Sequence, residues 1–240
     1  MQLFALIGSH FSGGPVQLVS PLIYALLTDL ILVLFMFWLY RPVLRGPFVF
    51  DDLAVLHNTR LLRMAHLRDS SDPPNYYIFI RPCALWHSLI NVGWGHLWVH
   101  LRSYLSCRPL TNLTYELDAR AGGLNPLRYH QTSLLIGMLA VISARHVVLS
   151  LVGSTWISLV VALLFAAHPM MTMGVGYIAG RSSLLCLMFS LLVVECFLVG
   201  GWIALGVIPF ATLALLSKEE AITLIPLLGA MWMLGIGGRL

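Results

Sequence analysis

The chain has 240 residues, of which 59% are hydrophobic and 10% charged, with a mean hydropathy of +0.87, far from the balance of a soluble domain. Its formal charge of +4 suits anionic lipid, but ten of the fourteen Arg and Lys fall between Arg41 and Arg128. That clustering marks one basic extramembrane segment and argues against a nucleic-acid partner. The composition therefore predicts an integral membrane protein, all-α and polytopic, of a bacterial inner membrane or a eukaryotic endomembrane.

Residues 1–19 are mixed and Gly-containing, and carry no basic region or small-residue cleavage site ahead of the first apolar run. A retained anchor helix is expected, with no cleaved signal peptide. Pro21 to Tyr40 is apolar apart from Thr28 and Asp29, long enough to span, and ends in the interfacial anchors Trp38, Tyr40 and Arg41. Asp29 is costly in lipid, so it should face protein or lie near the membrane surface.

From Arg41 to Tyr129 the chain is charged and broken by prolines, which predicts a long extramembrane or interfacial loop. Leu53, Leu56, Leu61, Met64 and Leu67 give Asp51 to Arg68 a helical period and a short amphipathic helix. Ala84 to Leu105, with Trp86, Trp94 and Trp98, suits a helix lying in the interface. His96 and His100 stand i, i+4 within it and are weak metal candidates. An interfacial polar stripe is the simpler reading, and no metal or tetrapyrrole is expected. Asn112-Leu113-Thr114 fits a glycosylation sequon, a pattern common by chance. Of the cysteines, Cys186 and Cys196 sit in apolar runs and read as core, while a Cys83–Cys107 bridge is open but unforced.

Five further apolar runs follow: His130 to Leu151, with Arg145-His146 at its far end; Ser154 to Ala167; Ser182 to Val199, with Glu195; Trp202 to Leu216; and Ala221 to Ile236. This predicts six transmembrane helices with interfacial amphipathic helices in the loop after the first. Three regions result: 1–40, an N-terminal segment and first helix; 41–129, the loop; and 130–240, a five-helix bundle. Counting crossings puts Asp51, His168 and Lys218 on one side of the membrane, as a site at a membrane surface requires.

The polar stretches carry a resemblance. Phe48-Val49-Phe50-Asp51-Asp52 with Asn58, Arg108-Pro109-Leu110-Thr111, Gly122-Gly123-Leu124-Asn125-Pro126 with Tyr129-His130, His168-Pro169 with Thr172 and Tyr177-Ile178-Ala179-Gly180-Arg181, and Ser217-Lys218-Glu219-Glu220 occur in order. Together they resemble the membrane half of the transmembrane and tetratricopeptide-repeat-containing protein O-mannosyltransferases and their bacterial relatives, of the GT-C glycosyltransferase fold. The likeness runs from about Phe48 to Pro226.

The resemblance implies transfer of a sugar from a polyprenyl-phosphate donor to a protein hydroxyl on the non-cytoplasmic face. The tendency of basic loops to stay inside would instead put Arg41 to Tyr129 in the cytoplasm, but the segment exceeds the loops for which that tendency is reliable. Asp51 or Asp52 would be the base that takes the hydroxyl proton, and Arg108, His168, Arg181 and Lys218 would face the donor's phosphate or lipid. From chemistry alone capping of the following helix is the simpler role for the acidic pair, and the resemblance brings the two readings level. Arg181 is also expected to be structural, held by backbone carbonyls or by an acidic partner such as Glu219 or Glu220.

The departures weigh against catalysis. Where relatives read His-Pro-x-His-Thr-Glu, this chain has His168-Pro169-Met170-Met171-Thr172-Met173, and Ser183 replaces the acid after Gly-Arg. A thioether accepts no proton. The leading expectation is therefore a non-catalytic, GT-C-derived accessory subunit without a cofactor, in contact with membrane lipids and other membrane-protein subunits. The alternative is an active polyprenyl-phosphate-sugar-dependent transferase; a third reading is a lipid-binding carrier.

Overall fold

The computed structural model describes residues 16–49, 52 and 108–237, with side chains from Ile23 onward. Among these residues the chain is helical throughout, without strands. The expected helices over 51–68 and 84–105, the acid Asp51, the pair His96 and His100, and the cysteines Cys83 and Cys107 lie outside the described residues.

The first helix, α1, runs Val16–Tyr40 and turns through a 3-10 segment, Arg41–Arg45, with Pro42 in its first turn. After α2, Pro109–Gly122, the chain reverses at Gly123, and Asn125 caps α3, Pro126–Val152, by accepting from the Leu127 N–H at 3.1 Å. Gly153, at φ 73°, closes α3 in the left-handed region, where a Cβ would be strained. Ser154 then caps α4, Thr155–Ala167.

His168-Pro169 ends α4, because proline cannot continue the helical ladder. The chain bends by 62° into the short α5, Pro169–Gly176. A 3-10 turn, Ile178–Gly180, leads into α6, Arg181–Val199, followed by Gly201–Gly206, α7 (Val207–Ser217), Glu219–Thr223 and α8 (Leu224–Met233).

Among the described residues three helical stretches are long and apolar enough to cross a membrane, Ile23–Arg45, Pro126–Val152 and Ile178–Val199, and a fourth if the bent α4–α5 pair is one span. The protein is an integral membrane protein. Arg145 and His146 do not mark the end of α3, which continues to Val152. They are tolerated there because both turn toward carboxylates on neighbouring helices rather than toward lipid.

α3 is the central helix, packed by α1, α4, α5 and α6, while α7 lies on the other side of α6. Leu32, Met36, Ile136, Val141, Ala162, Val175 and Leu184 form the main core. Outward faces of α1 and α4 show Leu30, Leu34, Trp38, Val160 and Leu164, as expected where lipid is the solvent. Tyr40, at the end of α1, donates its hydroxyl to the Ala166 carbonyl at 2.8 Å, one of the carbonyls freed where α4 stops.

Candidate functional site

At one end of this bundle five polar stretches converge. α2 carries a polar stripe along its length, Thr111, Tyr115 and Asp118, at i, i+4, i+7, and all three are buried. The start of α3 brings Tyr129, His130, Thr132 and Ser133, the turn before α6 brings Ile178 to Arg181, and the 217–220 corner and the 46–49 stretch with Asp52 close around them.

Arg181 is the centre. It is fully buried, and its guanidinium is shared among Asp118 Oδ2 (2.6 Å), the Tyr129 carbonyl (2.6 Å), Ser133 Oγ (3.1 Å) and Thr114 Oγ1 (3.3 Å). The Tyr115 ring lies 4.6 Å beneath it. Thr132 donates to the second oxygen of Asp118 at 2.6 Å, so the carboxylate is held on both sides. A buried charge persists only when paired and bonded in this way. Arg181 is thus held by a backbone carbonyl, as expected, and by an acid, but that acid is Asp118; Glu219 and Glu220 pair elsewhere.

The Ile178–Gly180 turn is pinned from two directions. Tyr115 donates its hydroxyl to the Ile178 carbonyl at 2.6 Å, and burial pushes that phenol well above its ordinary pKa, so the donor keeps its proton. On the other side the Ala179 N–H donates to Asp52 Oδ1 at 2.9 Å, while the Val49 N–H donates to Asp52 Oδ2 at 3.0 Å. Asp52 is fully buried, with both oxygens bonded to backbone. Gly180 makes the turn possible: a Cβ there would fall well inside contact distance of the Met173 carbonyl.

Arg108 and Lys218 are the more open cations. Arg108 adopts φ 49° at the head of α2, an uncommon conformation for a residue with a Cβ. Its Nη1 lies 3.2 Å from Ser182 Oγ and its Nη2 3.2 Å from Glu219 Oε1. The Arg108 guanidinium holds the Glu219 carboxyl below the usual carboxylate range. Lys218 Nζ sits 3.0 Å from Ser183 Oγ and 2.7 Å from Glu220 Oε1. Two cations thus stand each beside a hydroxyl at the start of α6 and each on a glutamate, and cations so placed can also meet an anion.

Asp52, Arg108, Arg181, Lys218, Glu219 and Glu220 are thus brought into one region. His168 is not: it is exposed at the α4–α5 bend, where its Nδ1 accepts from the Met170 N–H at 3.2 Å. The sequence reading missed Asp118, Tyr115, Thr132 and Ser133. The spacing of Thr111, Tyr115 and Asp118 was the available signal. Among the described residues no group of three or more His, Cys, Asp or Glu could hold a metal ion.

Taken together, the apolar spans and the buried arginine cluster define a polytopic helical membrane protein with a polar site at one end of its bundle. The chain belongs to the family of the transmembrane and tetratricopeptide-repeat-containing protein O-mannosyltransferases. It is 31% identical to the mouse protein O-mannosyl-transferase TMTC2 over 150 residues, 58% of this chain and 18% of that protein. To human TMTC1 it is 30% identical over 203 residues, 77% of this chain and 21% of that protein. Drosophila melanogaster Tmtc1 is 32% identical over 209 residues, 85% of this chain and 22% of that protein. The chain spans about a fifth of the length of these relatives. No protein-family model matches it, and no solved structure does.

Proposed function

We propose that this chain takes part in protein O-mannosylation, as a polyprenyl-phosphate-sugar-dependent glycosyltransferase. The relatives, which carry the name of that activity, support this reading over an accessory role. The observation that carries it is the convergence of Asp52, Arg108 and Lys218 around the Arg181 cluster at one end of the bundle. In the reaction an acceptor hydroxyl oxygen attacks the anomeric carbon, the bond from that carbon to the phosphate oxygen breaks, and the polyprenyl phosphate leaves with its negative charge. A carboxylate takes the hydroxyl proton.

Asp52 is poorly suited to be that carboxylate, since it is fully buried and both its oxygens accept backbone N–H groups. We assign it the positioning role and Asp51 the proton. Arg108 and Lys218, partly open and beside Ser182 and Ser183, are assigned the donor phosphate. In this reading the six-span topology holds, with 201–217 and the segment around α8 as the short fifth and sixth spans, the 41–129 segment as a non-cytoplasmic loop with interfacial helices, and 130–240 as the bundle.

Met171 and Met173 favour a second reading, a non-catalytic accessory subunit. They stand where the resemblance places His and Glu, and Met171 is buried in the main core. One experiment separates the two: protein-linked mannose and partner association, measured in cells carrying the full chain with Asp51→Asn or Asp52→Asn. Loss of a general base lowers the rate by about 100- to 10,000-fold, so Asp51→Asn should abolish the glycan while the protein accumulates normally. An unchanged glycan with unchanged assembly would sink the transferase reading.

A further inference from the structure

At the other end of the bundle four ionisable side chains meet between helices that are otherwise apolar. α1 supplies Asp29, α3 supplies Arg145 and His146, and α6 supplies Glu195. Arg145 is fully buried, with Nε and Nη2 each 2.8 Å from Asp29 Oδ1. His146 lies between two carboxylates: Nδ1 is 3.2 Å from Glu195 Oε1 and Nε2 is 3.4 Å from Asp29 Oδ2. On α3, Arg145 stands 16 residues from Tyr129, about 24 Å from the Arg181 cluster, and 7 residues, about 10 Å, before the helix ends at Val152.

Hydrogen-bond capacity and charge together call for one proton shared by the imidazole and its two carboxylates, and the imidazole, the most basic of the three, carries it. An ionised carboxylate only accepts, and a neutral imidazole has one N–H, so it satisfies one of its two carboxylate neighbours; the imidazolium, with an N–H on each nitrogen, satisfies both. Two carboxylates against one guanidinium leave a net negative charge among apolar helices, which such surroundings strongly disfavour. Among the described residues no other packed element supplies the missing cation: α4, 201–206 and α7 contain no ionisable side chain, and Tyr24 on α1 and Cys196 on α6 offer no positive charge.

We propose that Asp29, His146 and Glu195 form a proton-binding site inside the membrane-spanning bundle. The proton resides on His146, so that with Arg145 four charges cancel and α1 is tied to α6 through α3. The site is remote from the Arg181 cluster and does not rest on the transferase reading. Because α3 and α6 also carry Ser133 and Arg181, the two clusters pin the same pair of helices at opposite ends.

The test uses the full chain in lipid nanodiscs with 15N-labelled histidine, at pH 7.5, where an ordinary imidazole of pKa about 6.5 is mostly neutral. The His146 signal is the one missing from His146→Lys. It should show both ring nitrogens protonated, and one protonated with one bare nitrogen overturns the proposal. In parallel, thermal unfolding should separate two variants: His146→Lys keeps the charge and stays near the wild-type midpoint, while His146→Gln falls by at least about 4 °C. A Gln variant as stable as wild type also overturns it. Should the Gln variant not accumulate, the wild-type resonance decides alone.

Discussion

Arg181 and Asp118 meet at 2.6 Å in the interior, an arginine at the head of one helix and an aspartate near the end of another, 63 residues apart in sequence. The pair joins the two halves of the described chain, since Asp118 belongs to α2, before the central helix, and Arg181 opens α6, after it. Around it Tyr129, Ser133 and Thr132 on α3 fill the remaining donors and acceptors.

Breaking this pair leaves one buried charge alone, so Arg181→Ala and Asp118→Ala should each cost about 3 to 5 kcal/mol. Thermal unfolding of the purified chain in detergent measures this. The double variant should be less harmful than the sum of the two singles, because both remove the same interaction. Additive losses would show that the residues act separately.

The Arg108–Glu219 pair is half-exposed and should behave differently. Exposed ion pairs contribute about 0 to 1 kcal/mol, so Glu219→Gln should change stability by no more than that. Since Arg108 holds the Glu219 carboxyl below its ordinary range, the contribution is present above the ordinary carboxylate range and is lost as pH falls through the folded value. A wild-type and a Glu219→Gln melting curve, compared at pH 7 and pH 3, should converge at the lower pH.

Asp52→Ala removes the side-chain acceptors of two part-buried backbone N–H groups, Val49 and Ala179. Leaving buried donors unsatisfied costs about 1 to 3 kcal/mol each. Amide exchange at Ala179 should accelerate in the variant, with smaller effect at Gly153 at the far end. Equal rates at Ala179 in the two proteins would remove Asp52 from its positioning role.

Topology is open to labelling. His168→Cys and Lys218→Cys should react with an impermeant thiol reagent from one face of sealed vesicles, and Gly153→Cys and Gly201→Cys from the other. Labelling of His168→Cys and Lys218→Cys from opposite faces would contradict the crossing order.

Much of the architecture was legible in the sequence, because lipid imposes a simple rule: a spanning segment must be long, apolar and internally hydrogen-bonded. Hence Pro21 to Tyr40, His130 to Leu151 and Ser182 to Val199 located α1, α3 and α6, and the run from Ser154 stopped at His168-Pro169, since proline acts through its own backbone. What the sequence could not decide was which charges meet. Asp29 was expected only to face protein or the membrane surface, Arg145-His146 to end a helix, and Arg181 to meet backbone carbonyls or Glu219 or Glu220, whereas its acid is Asp118. Pairing across helices depends on rotation about each helix axis and on the register of side chains 50 to 120 residues apart. Only packing fixes those quantities: the close approach of Val175 to Gly137, the turn held by Gly180 and the helices gathered around α3 bring these groups within bonding distance.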